Sequence, residues 1–243
     1  MGKRGRIFLL CALAGGMAFG ATLDEKGFVR DWLVSGPYPN YLRTDGSTRG
    51  IGTDFLADAG GEQFAFPKAG DARTATFTAD ASKLIAGQGS VNEWGKIETF
   101  TADATWKAMT FGDGVIDADT VFGDVKDYFV LYAMAYFTAP EATDVRIAVG
   151  SDDYHAVFLN DKAIGSKKTS QGVQPGTFNY DARLRKGRNK LLLKLVEVGG
   201  GSGFCVQVLG RDGRPVPGLV VDNALSAADL AAFAKELHPP RPA

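Results

Sequence analysis

The feature that most constrains this chain is the two-residue alternation of apolar side chains through its second half. Residues 128–137 run without a turn former. Tyr128, Val130, Tyr132, Met134 and Tyr136 share one face, and Phe129, Leu131 and Phe137 share the other. A period of two is the signature of a strand, and apolar residues on both faces place that strand between two covering layers. Residues 144–149 alternate cleanly, with Val145, Ile147 and Val149 together, and segments 155–159, 176–184, 190–198 and 203–209 continue the series. Turn formers separate them: Ala139-Pro140-Glu141, Asn160-Asp161, Lys186-Gly187-Arg188-Asn189 and the glycine run 199–203. Short strands without helical patterns between them predict an all-β fold, an antiparallel β-sandwich of jelly-roll type, rather than a parallel α/β sheet.

The first half carries fewer apolar runs. Residues 31–35 read as a strand ended by Gly36-Pro37-Tyr38-Pro39-Asn40, whose prolines forbid ladder pairing on both edges. Residues 41–114 are rich in Gly, Ala, Asp and Thr. A structureless loop of that length is foreign to a compact domain. Short strands are therefore expected near 74–78 and 105–109, a helical turn near 81–86, and a long excursion across the sandwich. Trp32 and Trp106 lie in strand-like runs and are expected in the core. At the other end the period changes. Ser226 can cap a helix with Asp229 three residues on, Leu225 can staple against Leu230, and Leu230, Phe233, Ala234 and Leu237 form one helical stripe before Pro239-Pro240. That stripe is read as a docked helix, with a protein partner as the alternative occupant.

Residues 1–20 have the layout of an export signal: Lys3, Arg4 and Arg6, an apolar stretch from Ile7 to Phe19, and Ala18-Phe19-Gly20 before a mature terminus at Ala21. The apolar stretch is too short and glycine-rich for a good membrane span. The expected division is thus a leader at 1–20, a sandwich at 21–222 and a helix with its tail at 223–243, located in the periplasm, at the cell surface or outside the cell. Without Lys3, Arg4 and Arg6 the chain keeps 24 basic against 28 acidic residues, a net charge of −4. That charge and the scatter of the basic residues argue against nucleic acid. Of the two cysteines only Cys205 follows the leader, so stability rests on a core, where Cys205 is expected as a small buried hydrophobe.

Trp32-Leu-Val-Ser-Gly-Pro-Tyr-Pro-Asn40, Gly150-Ser-Asp-Asp153 followed by Val157-Phe-Leu-Asn160, Lys186-Gly-Arg-Asn-Lys-Leu-Leu-Leu-Lys194 and Gly203-Phe204 carry a resemblance. Together with Trp106 and Gly112-Asp-Gly114, they resemble bacterial secreted modules of the galactose-binding-domain-like jelly-roll kind, with kinship to PA14 β-sandwiches in the double aspartate. The resemblance implies a non-catalytic sugar-binding or accessory module, and a calcium ion held by Asp152 and Asp153 that in turn holds sugar hydroxyls. The sequence departs from that pattern where Tyr154 and Asp161 replace the glycines that usually follow the double aspartate and the asparagine.

Taken by themselves, adjacent aspartates leading into a strand offer oxygens to a hard cation, and calcium takes 6–8 of them. They equally serve as turn formers that accept backbone N–H bonds, the commoner role. Both roles stay open for Asp152 and Asp153, and Asp113, Asp117 and Asp119 are read as a turn. A sugar ring stacks its C–H face on an aromatic side chain. Tyr154 and Trp94 are the candidate platforms, with Tyr38 and Tyr41 also in expected loops. His155 is read as a hydrogen-bonded structural residue. There is no Gly-x-Ser-x-Gly elbow, His-Glu-x-x-His pair or phosphate-cradling loop. Binding is therefore expected ahead of catalysis, with a glycan as the candidate ligand, an envelope protein as the alternative partner, and a glycoside hydrolase third.

Overall fold

In the computed structural model the chain is described over residues 21–40, 42–43, 50–80, 84–85, 97–122 and 129–239. Its strands in chain order are β1 (Ala21–Thr22), β2 (Asp31–Pro39), β3 (Leu42–Arg43), β4 (Ala72–Asp80), β5 (Leu84–Ile85), β6 (Ile97–Thr105), β7 (Lys107–Thr110) and β8 (Val115–Asp117). They continue with β9 (Phe129–Ala139), β10 (Thr143–Asp152), β11 (Tyr154–Leu159), β12 (Lys162–Lys167), β13 (Phe178–Leu184), β14 (Gly187–Val196), β15 (Gly203–Gly210) and β16 (Val220–Val221), and α1 (Ala227–Leu237) follows. Every strand pairing among the described residues is antiparallel. An eight-stranded sheet runs β1-β16-β9-β14-β11-β12, with β2 sharing with β16 the edge of β9 opposite β14, and β7 beyond β2; β13-β10-β15-β8 form the second sheet. The expected antiparallel β-sandwich is the observed one.

Side-chain parity sorts the molecule into layers. Phe129, Leu131, Ala133, Ala135 and Phe137 of β9 point into the space between the sheets, against Val145, Ile147 and Val149 of β10 and Phe204, Val206 and Val208 of β15. The other parity, Val130, Tyr132, Met134 and Tyr136, enters a second core with Phe55, Leu56, Ala65, Trp106, Leu230 and Phe233. The eight-stranded sheet is therefore covered twice, by its partner sheet and by the 50–71 excursion with α1. Both faces of β9 are apolar for that reason. Trp32, Trp106 and Cys205 are buried, as expected.

Two local expectations are corrected. The strand opening at Asp31 does not end at Ser35: β2 pairs with β7 only over 31–34, then shifts register between Ser35 and Tyr38 and continues along β9 to Pro39. The prolines do end pairing on one edge, while a bulge keeps the other edge in the ladder. Leu84–Ile85, expected in a helical turn, instead pairs with Leu42–Arg43, and the rest of that turn lies outside the described residues. The leader at 1–20 also lies outside them, as do Tyr41 and Tyr128. No helix among the described residues is long and apolar enough to cross a membrane.

Helix α1 starts as its sequence dictates. The Ser226 side chain accepts from the Asp229 amide, and Asp229 returns a bond to the Ser226 amide, closing a capping box. Arg188 of β14 holds the Asp229 carboxylate at 2.8 Å. Leu230 and Phe233 are buried against the eight-stranded sheet, so the stripe considered as a docking face is consumed within the chain. Ser226→Ala should cost about 1 kcal/mol of unfolding free energy, measured by urea denaturation.

Candidate functional site

The double aspartate sits where β10 hands over to β11, at one rim of the sandwich. Asp152 is the last residue of β10 and faces Gly203 of β15 across the ladder. The Asp152–Asp153 peptide is cis. Asp153 is buried, and both its carboxylate oxygens accept from protein donors: Oδ1 from the Ser170 hydroxyl, and Oδ2 from the Val198 amide at 2.8 Å.

The hairpin is braced from below. Ser151 Oγ donates to the Asp153 carbonyl at 3.0 Å and lies 2.7 Å from His155 Nδ1. With its one proton spent on that carbonyl, Ser151 accepts from His155 Nδ1–H, which leaves Nε2 to accept from Tyr180 Oη at 2.7 Å. Burial, followed by the charge of Lys167, lowers the His155 pKa to about 4, consistent with this neutral tautomer. The Tyr180 ring reaches this position because Gly165 lies beneath it; a Cβ there would approach the ring to 2.0 Å. Ser151 and His155 are both fully buried. They stabilise the turn and are not exposed as a nucleophile and base.

Opposite the aspartates the chain leaves β14 through Glu197 into the glycine run. Glu197 is fully buried; its Oε1 accepts from the Gly199 amide, and its Oε2 has no hydrogen-bond partner among the described residues. Its carbonyl accepts from Asn40 Nδ2 at 2.7 Å, tying the end of β2 to this rim. Asp119 completes the group, accepting from Ser202 Oγ at 2.7 Å. Burial and then the charge of Asp153 raise the Glu197 pKa to about 8, with smaller contributions from Asp152 and Asp119. Burial, followed by Asp153, raises Asp152 to about 6. Four carboxyl groups therefore share one negative field.

The field has the sign a cation needs, yet the oxygens do not form a cage for one. Asp153 has committed both oxygens to protein donors, and no group of three or more His, Cys, Asp or Glu among the described residues is placed to hold a metal ion. The calcium arrangement implied by the double aspartate is not assembled by these side chains. The turn-forming role of Asp153 is on view directly.

Of the candidate site residues, Asp152 and Asp153 come together, and Tyr154 diverges. Strand alternation turns Tyr154 to the outer face, where its half-buried ring packs against the outer core. Trp94 lies outside the described residues. Tyr38 is buried and stacked on Phe55, so it is packing and not a platform. Glu197 and Asp119 escaped the sequence reading. They stand 44 and 34 residues from Asp153 by position and carry no local motif, and only the pairing of β8, β15 and β14 brings them to this rim.

No protein-family model matches the chain, and no curated protein matches it. Among solved structures it is similar to the GH31 alpha-xylosidase from Xanthomonas citri, at 11% identity and a TM-score of 0.30, over 87% of this chain. The similarity spans 22% of that enzyme's chain. A superposition this shallow defines neither a fold family nor an activity.

Proposed function

We propose that this chain is a non-catalytic carbohydrate-binding module that acts outside the cytoplasm, with its ligand at the rim formed by Asp152, Asp153 and the glycine run 199–203. The observation that carries this reading is the concentration of carboxyl groups there, of which Asp152 and Asp119 are partly exposed while Asp153 and Glu197 are buried. Carboxylates accept strong hydrogen bonds from hydroxyl donors. The same negative field repels carboxylated or sulfated sugars, so the ligand is a neutral glycan. A hydrolase would set two carboxyl groups across an open cleft at about 5–5.5 or 6.5–9.5 Å to flank a glycosidic bond. Here Glu197 and Asp153 are buried in the rim, out of reach of a glycosidic bond, which leaves the partly exposed Asp152 and Asp119 to meet a ligand.

The test is a glycan array followed by calorimetry, with the protein in chelator and in calcium. Affinity for a neutral glycan should fall between about 1 μM and 1 mM, the range suited to a small, solvated polar ligand. Chelator should leave it unchanged; a loss would place a cation between rim and sugar. Asp152→Asn should weaken binding while the fold stays intact. Asp153→Ala should abolish binding and lower the unfolding free energy by about 1–3 kcal/mol, because the Val198 amide and Ser170 hydroxyl lose their acceptor. Silence across a broad set of neutral plant, algal and host glycans would defeat the reading.

A further inference from the structure

The sandwich is open along one side. Strand β12 ends the eight-stranded sheet and β13 ends its partner, and among the described residues no strand pairs with the outer edge of either. The two edges meet where Gly165 of β12 lies against the Tyr180 ring of β13, and where Lys167 Nζ sits 5.8 Å from the centre of the Phe178 ring. They part towards Lys162 and leave a cavity of about 600 Å³ between them. Its accessible apolar walls are the partly exposed side chains of Ile164, Ala182 and Leu237. These walls are aliphatic, so they suit an apolar side chain and offer no ring for a sugar to stack on.

The edge of β12 is cationic. In the ladder with β11, Lys162 faces Leu159, Gly165 faces Val157 and Lys167 faces His155, with Ile164 as the extra residue of a bulge. Leu159 and Val157 point into the inter-sheet core, and directly paired residues share a face, so both lysines are on the inward side of this edge strand. Both are exposed, and neither forms an ion pair among the described residues. At the cavity mouth Arg183 is paired with Asp144 at 2.6 Å, Lys186 with Glu141 at 2.9 Å, and Asp181 with Arg211 at 2.8 Å. The Arg185 guanidinium donates to the Glu236 carbonyl at 3.3 Å and has no carboxylate. The remaining acid is Asp161, 3.9 Å from His238 Nδ1. Lys162, Lys167 and Arg185 thus stand against one carboxylate, on a chain whose net charge is −1. Inward lysines and a bulge keep an edge strand from pairing with a neutral strand, which would cover the ammonium groups without a counter-charge. A strand with carboxylates in the same row removes that cost.

We propose that the free edge of β12 is a strand-addition site for an extended acidic segment of another protein, with carboxylates facing Lys162 and Lys167 and an aliphatic side chain between them entering the cavity beside Ile164. In strand addition the main-chain bonds supply affinity and alternate side chains supply selectivity. Side chains of a strand share a face at every second position, so the segment reads acid, aliphatic, acid in alternate places. The site does not rest on the reading given to the acidic rim. The probe is a fluorescein-labelled peptide, Thr-Glu-Thr-Val-Thr-Glu-Thr, followed by anisotropy as the full chain is added up to about 1 mM, the weak end of specific affinity. It is compared with a copy carrying Lys for Glu, and with two copies N-methylated on alternate backbone amides. One of these blocks the amides that face β12, and the other blocks those that face away.

The expected result is saturable binding of the acidic peptide, no binding of the lysine copy, and loss of binding in one N-methylated copy only. Lys162→Glu combined with Lys167→Glu should weaken the acidic peptide about tenfold or more, since two opposite-charge cross-strand pairs become like-charge pairs, and should admit the lysine copy. Both positions are exposed, and a thermal melt of the double variant checks that the fold survives. Asp152→Asn should leave the titration unchanged, so failure at the rim and failure here are separately visible. Absence of saturable binding would overturn the proposal, as would equal affinity of the two N-methylated copies or undiminished affinity in the folded double variant. Displacement of the peptide by trigalacturonate as effective as by unlabelled peptide would also overturn it, marking a site for anionic sugars instead.

Discussion

Replacing Lys194 with alanine is expected to lower the unfolding free energy by about 3–5 kcal/mol, the usual cost of removing one member of a buried ion pair. Lys194 is fully buried on the outer face of β14, and its ammonium sits 2.7 Å from Glu62 Oε1 and 2.6 Å from the Thr53 carbonyl. The same Glu62 oxygen accepts from Tyr132 Oη at 2.6 Å, and that hydroxyl accepts from the Phe55 amide at 3.2 Å. One cation thus organises three points of the excursion. Alanine would leave the Glu62 carboxylate, only 14% exposed at its side chain, without its counter-charge. Burial alone pushes the Lys194 pKa down, and Glu62 works against that shift. The double variant Glu62→Leu with Lys194→Met removes both charges and should recover most of the loss, since apolar replacements of a buried pair are often neutral. Urea denaturation of the parent, Glu62→Leu, Lys194→Met and the double variant closes the cycle and measures the coupling. A single-variant loss below about 1 kcal/mol, the level of an exposed pair, would show that this pair does not anchor the excursion.

Glu197→Gln is expected to make the protein progressively more stable than its parent as pH rises from 5 to 8, by a total on the order of 3 kcal/mol in chelating buffer. The folded-state pKa is raised to about 8 from an ordinary 4.5, so between those values the folded chain holds a proton that the unfolded chain has released. Stability contributed by this group is therefore lost as pH rises through that window. Asp152, raised to about 6, acts in the same direction at lower pH. His155, lowered to about 4, and Lys190, lowered to about 7 by burial, act the other way, since each binds fewer protons folded than unfolded. These three groups are present in both proteins and largely cancel in the difference, which isolates Glu197. Chemical denaturation at half-unit pH steps reads it. A difference that stays flat from pH 5 to 8 would mean that Glu197 is ionised without penalty, and the shared negative field at the rim would not exist.

Lys190 and Lys194 also mark where sequence reading stopped. In Asn-Lys-Leu-Leu-Leu-Lys-Leu-Val the lysines alternate with Leu191, Leu193 and Leu195, the pattern of a strand with one face in water. The structure buries both lysines, because the 50–71 excursion lies over that face and supplies carbonyls to their ammonium groups. A signal was present one strand away. Tyr132, Met134 and Tyr136 of β9 share the same outer face, and such a row is not left to solvent. Joining the two clues requires knowing that β9 and β14 are neighbours.

What the sequence determined by itself follows from local periodicity. Alternation at 128–137 and 144–149, the turn formers between strands, and the Ser226–Asp229 cap each act within a few residues, so composition along the chain was enough to define strands, turns, the antiparallel class and the helix. The aspartate turn was legible for the same reason. The tertiary structure alone decided what meets across long separations: Glu197 and Asp119 with Asp153 at one rim, Glu62 with Lys194 beneath the excursion, and Lys162 with Arg185 at the mouth of the gap between β12 and β13. A carboxyl or ammonium group carries no sequence mark of its partner, because its energy depends on burial and on charges brought near by strand pairing. Register and layer order set those distances, and they exist only in the folded chain.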